Sequence, residues 1–301
     1  MKRNLLLLIN IILVTQCFSQ LYVKIKPSYN KSLGGQVLTR IGSIEYTPGL
    51  TEITEKIENV NGSLGQGYMG NLSFGYSFTR QFSMELGVSY LKGEETQSSY
   101  SVRNSNSVET STYSLTGDLL SFEPAFVFSS KEKDSFRTYV SLGFPISNVS
   151  YNTYFVGRGG NSGKTEEIEE RFIGSINVGV STKIGISRRL NKSLELFGEI
   201  GFTYINFSPN ESEIVIYNVS GNDLLSTLST SELKSTYKKS VVTDYNYENG
   251  QWVESYSENK ARIRQKFNTP FSYLSFSCGI KFYLFDKEYN GRELNKNDYA
   301  L

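Results

Sequence analysis

Residues 71–91, NLSFGYSFTRQFSMELGVSYL, sort by parity into two chemically different sets. Leu72, Phe74, Tyr76 and Phe78, followed by Phe82, Met84, Leu86, Val88 and Tyr90, form one set. Asn71, Ser73, Gly75, Ser77, Ser83, Glu85, Gly87 and Ser89 form the other. A period of two belongs to a strand, because successive side chains of extended backbone point to opposite faces. Centring a hairpin near Arg80 sets Phe78 across from Phe82 as an aromatic cross-strand pair.

The pattern recurs down the chain. Leu21, Val23 and Ile25 alternate with Lys24 and Lys26; Leu120, Phe122, Phe126 and Phe128 with Ser121 and Glu123; Val140, Leu142, Phe144 and Ile146 with Ser141 and Gly143. Further on, Ile176 to Ile186 alternate with Asn177, Ser181 and Lys183, Leu194 to Tyr204 with Glu195 and Glu199, and Leu274 to Leu284 with Ser275, Ser277 and Lys281. These make about eight strands, each reaching the roughly 9 to 11 residues that a tilted membrane-spanning strand needs. Short turns near 79–81, 131–135 and 189–193 alternate with long polar segments near 30–67, 92–117, 148–172 and 206–270. The expected fold is all-β: a transmembrane antiparallel up-and-down β-barrel of about eight strands, or ten if part of the last loop joins it. Loops longer than roughly 12 to 15 residues are expected to carry structure of their own. In the last one, Asn249-Gly250 is a two-residue turn signal between alternating arms, and Trp252 on that hairpin is a candidate loop contact.

Charge decides which face meets lipid. A soluble barrel would turn the apolar set inward. Here the apolar sets hold no charge and are bulky, whereas the opposite sets are rich in Gly and Ser and hold Lys24, Lys26, Glu85, Glu123, Lys183, Glu195, Glu199 and Lys281. Small residues suit a confined interior, and balanced signs suit a place where an unpaired charge is expensive. The expectation is a structural Glu/Lys network closing the lumen near the short turns. A hairpin centred at Asn191 would put Lys183 across from Glu199, with Lys281 reaching Glu199 from the other side.

Residues 1–19 carry Lys2 and Arg3, an apolar run from Leu5 to Val14 and the small Ser19, the pattern of a cleaved signal peptide. Gln16 sits where a lipoprotein signal at Cys17 wants a small residue. Cleavage after Ser19 leaves Cys278 as the one cysteine, and no disulfide. The remaining division is a barrel over 20–285 and a polar tail over 286–301. There is no His in the chain, and Lys plus Arg number 31 against 30 Asp plus Glu. Without His, the general-base sets of acyl-transfer and protease chemistry are missing. Glu195 and Glu199 as a glycosidase pair compete with their placement beside lysines. No metal or cofactor motif stands out, and the balanced charge gives no reason to expect nucleic acid. The expectation is no enzyme, no cofactor and no metal.

The leader together with FSMELGVSYLKG, SFEPAFVFS, SLELFGEIGFTY and SFSCGIKFYLF resembles the small porin-like outer-membrane β-barrels of Gram-negative bacteria, especially those of Bacteroidetes. That resemblance covers residues 20 to 285. It implies an outer-membrane location, contact with outer-membrane lipid and lipopolysaccharide, and insertion by the barrel-assembly machinery. Members commonly end on the aromatic of the last strand, whereas here Asp286 to Leu301 follow Phe285. Eight strands leave room mainly for side chains, so the expected role is a plugged anchor displaying long surface loops for adhesion, protection or partner binding. The alternative is a narrow channel or binder for a small solute. The sequence names no extracellular ligand.

One motif invites a different reading. VGRGGNSGKTEE, residues 156–167, nearly spells a phosphate-binding loop, but GxxxxGK[ST] ending at Thr165 requires glycine at 158, which is Arg158. The expectation is instead the tip of an outer loop, with TEEIEER beyond it as a solvated acidic return containing a short helical turn.

Overall fold

The computed structural model describes residues 20–284 apart from 34–36, 47–52, 104–107, 160–162, 242–244, 249–250 and 255–256. The expected leader, the tail over 286–301, Phe285 and the Asn249-Gly250 turn lie outside the described residues.

Eight strands close a barrel: β1 (Gln20–Ser32), β2 (Gly67–Ser77), β3 (Phe82–Gly93), β4 (Val108–Ser129), β5 (Phe136–Gly143), β6 (Val180–Arg189), β7 (Leu194–Tyr204) and β8 (Tyr273–Tyr283). Each pairs antiparallel with the next, and β8 returns to β1 with Val23 opposite Phe282 and Tyr29 opposite Phe276. Closure removes every barrel edge, so the backbone donors and acceptors of the wall are used internally. Phe144-Pro145 breaks β5, which resumes as Ile146–Arg158 along the upper half of β4. Proline at the break withholds an N–H from the ladder. The hairpin between β2 and β3 sets Phe78 against Phe82 with ring centroids 5.5 Å apart.

The polarity of the wall is the reverse of a water-soluble protein. Ile184 is 67% exposed and Phe74 52%, together with Ile25, Leu72, Leu86, Val88, Leu120, Val140, Ile200 and Phe276, whereas Lys24 is 3% exposed and Glu199 4%. Hydrocarbon is the surrounding that such a surface satisfies. Exposed aromatics mark both rims. Phe128 and Phe136 stand toward the short turns, with Arg188 over the Phe136 ring at 5.2 Å, and Tyr68, Tyr90 and Tyr204 stand toward the long loops.

Above the barrel the wall continues as an open sheet. Its order is Ile53–Asn61, Val37–Tyr46, Thr96–Arg103, the upper half of β4, Ile146–Arg158, Thr165–Gly174, Pro209–Val219, Lys234–Lys238 and Arg262–Gln265. The expected helical turn in TEEIEER is a strand, Thr165–Gly174, paired on both sides. Its glutamates do not simply solvate: Asn152 and Asn218 donate to Glu169 and Glu167, and Ser212 donates to Glu170. The described parts of the near phosphate loop, on either side of residues 160–162, lead into it, with Arg158 opposite Thr165, the Gly159 N–H donating to the Lys164 carbonyl at 2.9 Å, and Gly163 at φ +62°. A left-handed φ is glycine's conformation, and no helix follows to hold a phosphate. The α-helix described is one turn, Thr230–Leu233, with a Ser229/Glu232 capping box.

Leu72→Arg, outward and midway along β2, is expected to destabilise the inserted barrel by about 2–4 kcal/mol, while inward-facing Ser73→Ala changes it far less. Denaturant titration of refolding into lipid vesicles, read by heat-dependent electrophoretic mobility, checks both.

Candidate functional site

The lumen is where the barrel concentrates its chemistry. Alternation on β1 turns Lys24 and Lys26 inward, and alternation on β7 does the same for Glu195 and Glu199. Of the eight charged residues expected there, Lys24, Lys26, Glu123, Glu195 and Glu199 are buried, and Glu85, Lys183 and Lys281 are half-buried.

Glu199 is the hub. Its carboxylate accepts from Lys24 and from Lys26, the latter at 2.9 Å, and from the Tyr139 hydroxyl at 2.9 Å. Lys24 also lies 3.6 Å from Glu85, which accepts the Tyr22 hydroxyl at 2.9 Å. A second group sits beside it. Glu123 accepts from Lys183 at 2.5 Å and from the Ser181 hydroxyl at 2.6 Å. Glu195 takes the Tyr283 hydroxyl at 2.7 Å. Every carboxylate of the set therefore has a donor, which is what a charge removed from water requires.

Two partnerships differ from expectation. Lys183 stands opposite Gly201, and Glu199 opposite Gly185. Lys281 stands opposite Glu195, while Ser277 occupies the position across from Glu199. The second follows from the β7–β8 register, with Leu194 opposite Phe282 and Thr203 opposite Tyr273; the cause of the first is the β6–β7 turn. The Asn191 side chain accepts the Ser193 N–H at 2.9 Å, the Leu190 N–H donates to the Leu194 carbonyl, and Arg189 pairs with Glu195, so the hairpin centres on Lys192. A shift that keeps parity leaves every side chain on its face but changes which neighbour it meets.

Large rings share this space by lying over glycines. A Cβ on Gly75 would overlap the Tyr22 ring, and one on Gly185 would overlap Tyr139. Those two tyrosines are the ones that reach Glu85 and Glu199. Among the described residues no group of three or more Cys, Asp or Glu is arranged to hold a metal.

The outer end of the lumen is closed differently. Leu64, Met69, Leu91, Leu119, Val149, Tyr151, Phe172, Ile205, Phe207, Tyr237, Phe271 and Tyr273 form one buried apolar cluster. Two short segments cross the mouth, Asn206–Phe207 paired with Thr269–Pro270, and the Leu64 N–H donates to the Pro270 carbonyl at 3.0 Å. Phe207 and Phe271 are fully buried, with centroids 5.9 Å apart, and Tyr151 stacks on Phe172 at 4.4 Å. Parity reading missed this plug, although the sequence signals it. At Tyr68-Met69, Tyr90-Leu91 and Leu119-Leu120 both faces of a strand turn apolar at once. Trp252 stands opposite Tyr247 in the Tyr245–Glu248 and Gln251–Glu254 hairpin, and its side chain lies outside the described residues.

No protein-family model matches the chain, and no curated protein does either. Among solved structures it is similar to CarO2 of Acinetobacter baumannii, with 13% identity over 86% of this chain and 99% of that one and a TM-score of 0.29. An overlap of that extent carries no argument about what this barrel does.

Glu199→Gln is expected to cost about 3–5 kcal/mol of stability, because it leaves two buried ammonium groups facing a neutral amide. Glu132→Gln, at the half-exposed rim pair with Arg137, should cost no more than about 1 kcal/mol. Equilibrium unfolding of both variants in detergent micelles measures the difference.

Proposed function

We propose that this protein is a non-catalytic integral barrel of the Gram-negative outer membrane, a plugged anchor whose work is done by the sheet it holds outside the cell. The observation that carries this reading is the double closure of the lumen: an apolar plug at the mouth and an ionic cluster at the short-turn end. A solute path needs a continuous polar passage, and the packed aromatics of the plug supply none. The long loops support display, since they extend the wall as a hydrogen-bonded sheet. The inverted polarity supports the membrane, and the leader pattern together with strand-based spanning supports the outer membrane of a Gram-negative cell. On this reading the barrel contacts outer-membrane lipid and lipopolysaccharide and is inserted by the barrel-assembly machinery.

In planar bilayers the refolded protein is expected to leave the membrane's conductance unchanged. Reproducible open-channel steps would support the solute-channel alternative and reject the plug. Trypsin added to intact cells should cut within residues 234–266, where Lys234, Lys238, Arg264 and Lys266 lie, and spare the short turns around Lys131 and Lys192. The opposite cleavage pattern would reverse the orientation.

A further inference from the structure

We propose that the short-turn rim of the barrel binds the headgroups of anionic phospholipids in the leaflet on that side, the inner leaflet in the orientation proposed above. This rests on the reading of the chain as a membrane barrel. The three short turns lie side by side: the Ser129 N–H donates to the Gln81 carbonyl at 2.8 Å, and the Arg189 N–H to the Ser135 carbonyl at 2.9 Å. Their charges therefore belong to one patch. In the lumen four lysines face four glutamates, but the turns are not balanced in this way. Glu132 is shared by Arg137 at 3.0 Å and Arg189 at 4.0 Å. What remains on the β4–β5 and β6–β7 turns is Lys131, Lys133, Arg188 and Lys192 with Asp134 as the one other carboxylate, all of them exposed. None of the four cations forms an ion pair with a described residue.

Arg188 fixes the level of the patch. It faces outward, opposite Phe136 on β5 and Leu196 on β7, and its guanidinium lies over the Phe136 ring. Phe128, Phe136 and Leu190 beside it are exposed. The cations thus stand at the edge of the apolar wall, where acyl chains give way to phosphates. An arginine stem can lie along that wall with its head in the polar layer, and its planar fork matches a phosphodiester. The opposite rim offers no such excess, since Lys31 and Lys92 stand there with Asp118 and Glu94, and Lys92 pairs with Asp118 at 3.1 Å. A zwitterionic headgroup brings no net charge to match the patch, and a soluble anion makes no use of the apolar surface beside it. A lipid of net negative charge satisfies both. Lipopolysaccharide has the same two attributes but meets the other rim in the proposed orientation.

Electron spin resonance of acyl-chain-labelled lipids tests this on the full-length protein in phosphatidylcholine vesicles. Labelled phosphatidylglycerol is expected to associate with the barrel several-fold more strongly than labelled phosphatidylcholine, with the difference shrinking as sodium chloride is raised. Equal association, the result if residues 286–301 rather than lipid cover the patch, would overturn the proposal. Absence of a motionally restricted component for either label would instead reject the membrane barrel itself, so the two failures are distinguishable. Combining Lys131→Gln, Lys133→Gln, Arg188→Gln and Lys192→Gln should remove the preference, and Lys31→Gln on the opposite rim should retain it. A folded combined variant that keeps the preference would also overturn the proposal. Where that variant does not fold, the two labels on the unaltered protein decide.

Discussion

Glu199 sits in a wall whose outside is apolar, so its charge has one place to go, the lumen. It is met there by Lys24 and Lys26 from β1 and by Tyr139 from β5. Because β8 lies between β1 and β7, the bonds from Lys24 and Lys26 to Glu199 span the seam where the last strand meets the first. A buried pair of this kind adds little net stability, since desolvation offsets much of the attraction. What it supplies is register. Sliding β1 by one residue against its neighbours would send Lys24 and Lys26 into hydrocarbon and leave Glu199 unpaired, so the closed arrangement is separated from its nearest competitors by several kcal/mol.

The period of two carried most of the wall. It separated outward Leu72 and Ile184 from inward Ser73 and Lys183 with no structural information, because lipid punishes every exception on one side and confinement punishes bulk on the other. Partner identity was less legible. For Lys183 it hung on the β6–β7 turn, where the Asn191 side chain bonds to Ser193 and the centre lies one residue on; for Lys281 it hung on the β7–β8 register, which no short turn sets. TEEIEER misled for a related reason: above the barrel both faces of a strand meet polar surroundings, so alternation no longer marks extended backbone. There the glutamates are held by Asn and Ser donors on neighbouring strands, a pairing that needs the tertiary arrangement to be seen.

Interior aromatics follow a rule that parity alone misses. Eight strands enclose a space that side chains fill, and a ring fits where its neighbour has no side chain. Tyr22 lies over Gly75, Tyr139 over Gly185, Phe271 against Gly117 and Phe207 against Gly174. At the ionic end the ring brings a hydroxyl to a carboxylate, so one side chain fills volume and satisfies charge together. At the mouth phenylalanines pack with Tyr151, Tyr237 and Tyr273 with no carboxylate among the plug residues, and ring packing together with the backbone pairing of the crossing segments closes the barrel. Each fully buried ring there stabilises by roughly 1.5–3 kcal/mol, enough for the plug to hold the two crossing segments in place.

The outer sheet then raises the problem that the barrel solves by closure: it has edges. A long flat apolar edge would recruit strands from other molecules. The Ile53–Asn61 edge instead sets Lys56 and Glu58 in an exposed pair at 2.9 Å, and the strand at the other end, Arg262–Gln265, is four residues long with two arginines. Charge at one edge and brevity at the other keep the sheet from templating its own assembly. The barrel below fixes the lower ends of β4 and of Ile146–Arg158, so the sheet is joined to the barrel wall at its middle.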